Sequence, residues 1–416
     1  MSALTVTGAR LDGATVAIRC SEGVIEALGP DVVPEDGDET IDAGGAPLIP
    51  AFANGHTHAA MTLFRGYGGD LPLMRWLQEK VWPVEARLDA EDVYWGARLA
   101  CLEMIRTGTA RFWDMYWQPA ATARAVADSG LGATIGGPIF DADGQTESMK
   151  ATALAALEEL EPFEPVVGRA LAPHSIYTVS EDLLRWTGEV AADRGIPVHI
   201  HLSETESEVE DCLATHGERP AQYLDRLGLL GERTMLAHGV WLDQGELELI
   251  AERGATIVTN PVANLKLASG GPFPYPAARD AGVAVALGTD GAGSNDSLDL
   301  FSDLKTFALM QRHAAGDPTV LPAPEALEIA TGARAPILGA GEPLTVGAPA
   351  DFLLLRGDAY EIGLGDLASD IVYAASGSVV DTTVVAGRVL MRGGHVGGAE
   401  ETIARASERA ARLGIG

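Results

Sequence analysis

Two periodicities divide the chain into three parts. Near its start apolar and polar residues alternate in short runs, Leu4-Thr-Val-Thr-Gly8, Thr15-Val-Ala-Ile-Arg19 and Gly23-Val-Ile-Glu-Ala-Leu28, separated by Asp12-Gly13 and Glu22-Gly23. Alternation of this length between turn signals predicts half-buried strands. Asp31 to Asp38 is a polar link containing proline and glycine. The alternation returns at the far end, in Ala350-Asp-Phe-Leu-Leu-Leu355, Asp381-Thr-Thr-Val-Val385 and Arg388-Val-Leu-Met391, with a turn at Ala386-Gly387. The economical arrangement is one small β-sandwich domain built from both termini, residues 1–50 and 345–416, with residues 51–344 inserted between its halves.

The inserted part alternates β and α patterns. Eight strands are predicted, at 51–56, 110–115, 131–140, 166–173, 197–202, 234–239, 255–260 and 283–288, with helical periodicity between them. One helix opens at Asp89-Ala-Glu-Asp-Val, an N-cap followed by acids, and carries Val93, Ala97, Ala100 and Met104 on one stripe before Gly108 stops it. Eight strands alternating with helices predict a (β/α)8 TIM barrel, whose chemistry sits at the strands' C-terminal ends. No period of 20–50 residues recurs. The tail 399–413 places Ile403, Ala406, Ala410 and Leu413 at helical spacing, predicting an amphipathic helix docked on the protein's own surface.

Composition refines this outline. An apolar share of 47% supports a sizeable core, and a net charge of -30 on so apolar a chain is not a mark of disorder. The only lysines are Lys80, Lys150, Lys266 and Lys305. Such acidity argues against nucleic acid or an anionic membrane as partner. No apolar run approaches a membrane span, and Met-Ser-Ala-Leu-Thr-Val lacks the basic start of a signal peptide. Cys20, Cys101 and Cys212, few and scattered, suggest reduced thiols in a cytoplasm.

The strand ends carry the chemistry. The first runs into His56-Thr-His58, the fourth into Ala172-Pro-His174, the fifth contains His199-Ile-His201 and leads to Glu204, the sixth ends at His238, and the eighth ends at Asp290. His56, His58, His201 and Asp290 supply three imidazoles and a carboxylate, a donor set for zinc or another first-row divalent ion. His199 lies deeper and reads as a core residue backing these; His216, His313 and His395 read as surface residues.

These residues resemble the amidohydrolase superfamily, in particular its 5-methylthioadenosine/S-adenosylhomocysteine deaminases. The resemblance extends over nearly the whole chain, through Asn54-Gly-His-Thr-His58, Met61-Thr-Leu-Phe-Arg-Gly-Tyr67, Asp70-Leu-Pro-Leu-Met74, Trp82-Pro-Val-Glu85, Tyr177-Thr-Val-Ser180, Asn264-Leu-Lys-Leu-Ala-Ser269 and Leu287-Gly-Thr-Asp-Gly291. It implies a metal-dependent hydrolase barrel in which His56, His58, His201 and Asp290 hold one divalent metal, Zn2+ before Fe2+ or Mn2+. The lysine that bridges two metals in binuclear relatives has no counterpart on strands three and four. It implies hydrolytic deamination of 5′-methylthioadenosine, S-adenosylhomocysteine, 5′-deoxyadenosine or adenosine to the inosine analogue, by metal-activated water attacking C6. Glu204 would carry a proton from that water to a ring nitrogen, His238 would orient the water, and Asp290 would accept the second proton. Glu85 would bind the ribose hydroxyls and His174 the purine or sugar. Met61, Phe64, Trp82 and Trp117 are candidates for an apolar wall, and Trp82 is assigned to the substrate. A homo-oligomer is expected by the same resemblance.

Two stretches depart from the family. Relatives that take S-adenosylhomocysteine carry an arginine after strand three, where this chain reads Phe140-Asp-Ala-Asp-Gly-Gln-Thr-Glu-Ser-Met-Lys150. An acidic loop repels a carboxylate tail, so neutral 5′ groups are expected, with Lys150 or a neighbouring subunit's arginine as the alternative partner. Strand seven has Val258-Thr-Asn-Pro261 where the family often has Ser-His-Asn-Pro, and no ligand is lost by it. The rival readings are an amidohydrolase acting on another ring (guanine, cytosine or a chlorinated triazine) and, more remotely, a non-catalytic scaffold.

The acidic, lysine-poor composition also suggests adaptation to high salt, which screens self-repulsion. Denaturation should then show stability rising from dilute buffer to molar salt; full stability in dilute buffer is the contrary result.

Overall fold

The computed structural model describes residues 3–141 and 144–415. The N-terminal strands β1 (Leu4–Leu11), β2 (Ala14–Ser21), β3 (Val24–Gly29) and β4 (Glu39–Asp42) form one sheet, in the order β3-β2-β1-β4. The next strand, β5 (Leu48–Pro50), joins the other end of the chain instead. It lies antiparallel to Phe352–Leu355, at the edge of a sheet completed by Val380–Val385, Arg388–Arg392 and His395–Val396. Leu4, Val6, Ile18, Ile25 and Ile41 of the first sheet share a core with Leu48, Phe352, Leu354 and Val384 of the second. We propose 1–50 with 345–416 and 51–344 as the two domains, on the ground of that shared core.

One residue beyond β5 the barrel begins. Its parallel strands are β6 (Phe52–Thr57), β7 (Thr109–Met115), β8 (Gly132–Gly136) continued by β9 (Pro138–Ile139), β10 (Val167–Arg169) continued by β11 (Ala172–Pro173), β12 (Val198–Leu202), β13 (Thr234–His238), β14 (Thr256–Thr259) and β15 (Ala284–Leu287). The third and fourth strands predicted from sequence are each interrupted, a detail that apolar runs do not reveal. Backbone bonds join the two arcs: Leu171 N–H donates to the Pro197 carbonyl, and Asp290 N–H to the His56 carbonyl at 3.0 Å. Ala53, Ala170, Met235, Val258 and Ala286 fill the barrel with Trp113, and Leu338 packs against them. Filled below, the barrel presents its site at the strands' C-terminal ends.

The helix Ala90–Arg106 starts where Asp89 caps it and buries Val93, Ala97, Ala100 and Met104 as predicted. Its Gly96 touches the 3₁₀ turn Ala59–Phe64, which follows His58: the Thr62 hydroxyl donates to the Gly96 carbonyl at 2.7 Å. The segment after this turn is helical in three pieces, Leu73–Trp76, Leu77–Val81 and Trp82–Glu85. The tail helix Ala399–Leu413 docks on the protein's own surface. Its buried face is Thr402, Ala406 and Leu413, while Ile403 is 45% exposed, because the docking direction follows the ion pair of Arg412 with buried Asp92.

Alanine is intrinsically the better helix former, but a Cβ at position 96 would lie 2.6 Å from the Ala60 carbonyl oxygen. Gly96→Ala should therefore destabilise the protein by about 1–3 kcal/mol through overpacking. Thermal melting checks it; an unchanged or higher melting temperature counts against the close approach.

Candidate active site

At the open end five ionisable side chains from four strand ends converge. His56 Nε2 and His58 Nε2 lie 3.4 and 3.2 Å from one carboxylate oxygen of Asp290. Ligand atoms of His56, His58 and Asp290, and those of His56, His201 and His238, form two overlapping groups, each within 4.8 Å. The opposite nitrogens are tied down. His58 Nδ1 donates to the Met115 carbonyl and His201 Nδ1 to the His174 carbonyl, both at 2.6 Å, while His56 Nδ1 is 2.8 Å from His199 Nε2. These bonds leave the Nε2 lone pairs facing one another, the arrangement metal ligands need.

The electrostatics fit a cation. Burial lowers His56 to about 4 and holds His201 well below its ordinary value, so both rings are neutral. Burial also works against charge on His58, but the Asp290 carboxylate overrides it and raises the ring to about 9. His56 Nε2 is buried without a hydrogen-bond partner, an orphaned donor atom that a divalent ion would satisfy. Three imidazoles and a carboxylate suit zinc. The residues present thus fit the metal that the sequence implies.

A cavity with a volume of about 80 Å³ opens in front of this cluster. Glu204 reaches it from beyond the end of β12, 6% exposed, with one oxygen 3.8 Å from His238 Nε2 and the other 3.5 Å from the Ser269 hydroxyl. Burial raises its pKa. Backbone strain gathers at these strand ends: Ser203, His238 and Asp290 all have positive φ, at 48°, 77° and 62°. Glu85 also lines the cavity beside Tyr116 and Trp117, and desolvation raises its pKa. His174 stacks on Phe140, and Phe140 on Trp117. Met61, Trp82 and Trp117 are cavity residues, as read from sequence; Phe64 is not, being buried in the core beside Trp76.

An outer chamber adjoins the cavity, lined by Trp82, Trp117, Phe140, Gln145, Met149 and Tyr177 among others, with no lysine or arginine among its described residues. Lys150 is paired with Glu147 at 2.7 Å. Asp143, one of the acids in this loop's sequence pattern, lies outside the described residues. Away from the site, His216 stacks on Tyr223, and His313 and His395 are exposed.

Several supporting residues escaped the sequence reading. Asn264 accepts a hydrogen bond from His238 Nδ1 at 2.8 Å, and the Ser294 hydroxyl donates to Asp290 at 2.7 Å. Tyr116 brings a buried hydroxyl to the cavity wall. Asn264 stood inside a motif already singled out, which was the one signal available for it; Ser294 and Tyr116 carry none.

Residues 48–390 match the amidohydrolase family. A 5′-deoxyadenosine deaminase of Methanoregula boonei is 48% identical over 379 residues, 90% of this chain and 86% of that protein. A 5-methylthioadenosine/S-adenosylhomocysteine deaminase of Archaeoglobus fulgidus is 42% identical over 384 residues, 90% of each chain. Among solved structures, an adenosine deaminase from Xanthomonas campestris with bound zinc superimposes with a TM-score of 0.91 at 34% identity, covering 99% of this chain and 98% of that one.

If these side chains hold one ion, the purified protein should carry about one equivalent of divalent metal, and a ligand at 100 times its dissociation constant adds about 2.7 kcal/mol of stability. Stripping the ion with a chelator should lower the melting temperature, and Asp290→Asn should retain much less metal. Equal metal content in the variant and the parent contradicts the assignment.

Proposed function

The chain belongs to the amidohydrolase family, and on that footing we propose the following reading of its site. The protein is a metal-dependent hydrolytic deaminase of adenosine derivatives, producing the inosine analogue and ammonia. Supporting this reading above all is the buried Glu204 beside His238, at the wall of a cavity that a second, half-buried carboxylate, Glu85, also lines.

His56, His58, His201 and Asp290 would hold one divalent ion, with zinc favoured by the donor set and by the zinc of the Xanthomonas relative. Such an ion brings the pKa of a bound water toward neutrality. The chain's own groups do the rest. His238, its Nδ1 engaged by Asn264, presents Nε2 to orient the attacking water and stabilise its charge. Glu204 takes a proton from that water and delivers it to a ring nitrogen as the water oxygen adds to C6. Asp290 accepts the second proton and passes it to the amino group, which departs as ammonia when the C6–N bond breaks. Glu85 accepts hydrogen bonds from the ribose hydroxyls, with Tyr116 and Trp117 beside it on the cavity wall. His174 contacts the purine or sugar, and Trp82 borders the 5′ side.

Neutral 5′ groups are favoured. The outer chamber is largely apolar, and Lys150 is already paired with Glu147. The substrates expected are 5′-deoxyadenosine, 5′-methylthioadenosine and adenosine ahead of S-adenosylhomocysteine. Glu85 distinguishes this site from one built for a bare base or triazine, which offers no ribose to a carboxylate on the cavity wall. Buried, unpaired cysteines accord with a cytoplasmic protein, and no helix among the described residues is long and apolar enough to cross a membrane. A homo-oligomer rests on the family resemblance, and light scattering tests it.

Ammonia release from the four nucleosides by the zinc-loaded protein tests the assignment. The first three should turn over best, and Glu204→Gln should lose about 10²–10⁴-fold in kcat. A preference for S-adenosylhomocysteine would refute the tail argument alone; no turnover of any would remove the substrate class. Glu204 must be ionised to accept the proton, so kcat/KM should fall as pH drops. Because burial raises its pKa, that acid limb should lie above the 4.5 of an ordinary glutamate.

A further inference from the structure

The turn between β12 and the next helix, Glu206–His216, is held by a residue that the chemistry above does not use. Thr205 caps this helix, accepting from Glu208 N–H at 3.3 Å. In a capping box the glutamate three residues on would return to the cap's own N–H. Glu208 reaches past it instead: its two oxygens accept from Ser203 N–H and Glu204 N–H, each at 2.9 Å. The carboxylate is 4% exposed, and no cation pairs with it among the described residues. Burial pushes it up to about 7, with the two N–H bonds working the other way.

What these bonds hold is a strained conformation. Ser203 sits at φ 48°, a left-handed region unfavourable to a non-glycine residue, and its carbonyl accepts from Trp241 N–H at 2.9 Å. The chain leaves the strand after Leu202, kinks at Ser203 and presents Glu204 to the cavity. A relaxed Ser203 would turn the following side chain elsewhere.

We propose that Glu208 is a positioning residue for the reaction: by accepting both N–H groups it holds the left-handed kink that aims Glu204 at the substrate. This rests on Glu204 as the proton carrier. A group bound near its reacting partner loses about 10²-fold in rate when misplaced by an ångström. Glu208→Gln keeps the shape but turns an amide N–H₂ toward one of the two donors, so it should loosen the kink without emptying the space.

The test is steady-state deamination by zinc-loaded Glu208→Gln, Glu204→Gln and the double variant, with metal content and melting temperature measured alongside. Glu208→Gln should lose about 10–100-fold in kcat, with KM within about threefold and metal content unchanged. In the Glu204→Gln background it should cost less than about twofold, since both act through one group. A wild-type kcat in Glu208→Gln, or losses that multiply in the double variant, overturns the proposal and leaves the deaminase reading standing. A wild-type kcat in Glu204→Gln removes the reading on which both depend. Should Glu208→Gln fail to fold, Glu208→Asp keeps the charge but is too short to reach both donors; the same kcat loss is expected, and its absence overturns the proposal.

Discussion

The buried carboxylate of Asp290 sets the terms for everything around it. A charge withdrawn from water is tolerated only where partners meet it. Here His58 and the Ser294 hydroxyl do so, at 3.2 and 2.7 Å, with the neutral His56 ring 3.4 Å away. Each partner must then be oriented in turn, His58 by a carbonyl of β7 and His56 by His199 of β12. One charge therefore engages strands one, two, five and eight. The backbone adds its own tie, since the N–H of Asp290 bonds the His56 carbonyl and links the last strand to the first. Closure of the barrel and assembly of the site occur at one residue.

This economy is why the site was so legible in the sequence. A barrel brings its strand ends to one rim, so polar residues scattered from His56 to Asp290 needed only their place at strand ends to be grouped together. Alternation of β and α patterns supplied that place. Stripes with a single packing partner were equally readable, as in the helix after Asp89. The tail helix was located to the residue, but its buried face was misjudged: Ile403 is the more apolar side chain, yet the Arg412–Asp92 pair turns the helix to bury Thr402.

The residues that hold the reactive groups were not legible. Asn264 acts through a hydrogen bond to His238 in a different element and Ser294 through one to Asp290 across a turn, and no periodicity marks such bonds. The helical pieces between Leu73 and Glu85 were hidden for a different reason. They are short, with a proline at position 72 and another at 83, and their stability comes from packing against Phe64 and Val93 more than from their own pattern. Local signals describe elements that stand alone; this segment takes its shape from what lies beneath it.

The interleaving of the two ends has a consequence for how the protein is made. Strand β5, which leads directly into the first metal-bearing strand, finds its hydrogen-bond partners only at Leu353 and its neighbours. During synthesis the ribosome must deliver the whole barrel before that pairing exists. The strand carrying His56 and His58 is thus fastened from below last, although it emerges early. Vectorial synthesis would leave an apolar edge at Leu48–Pro50 waiting throughout elongation, a window in which chaperone capture or pairing with a second nascent chain competes with correct assembly.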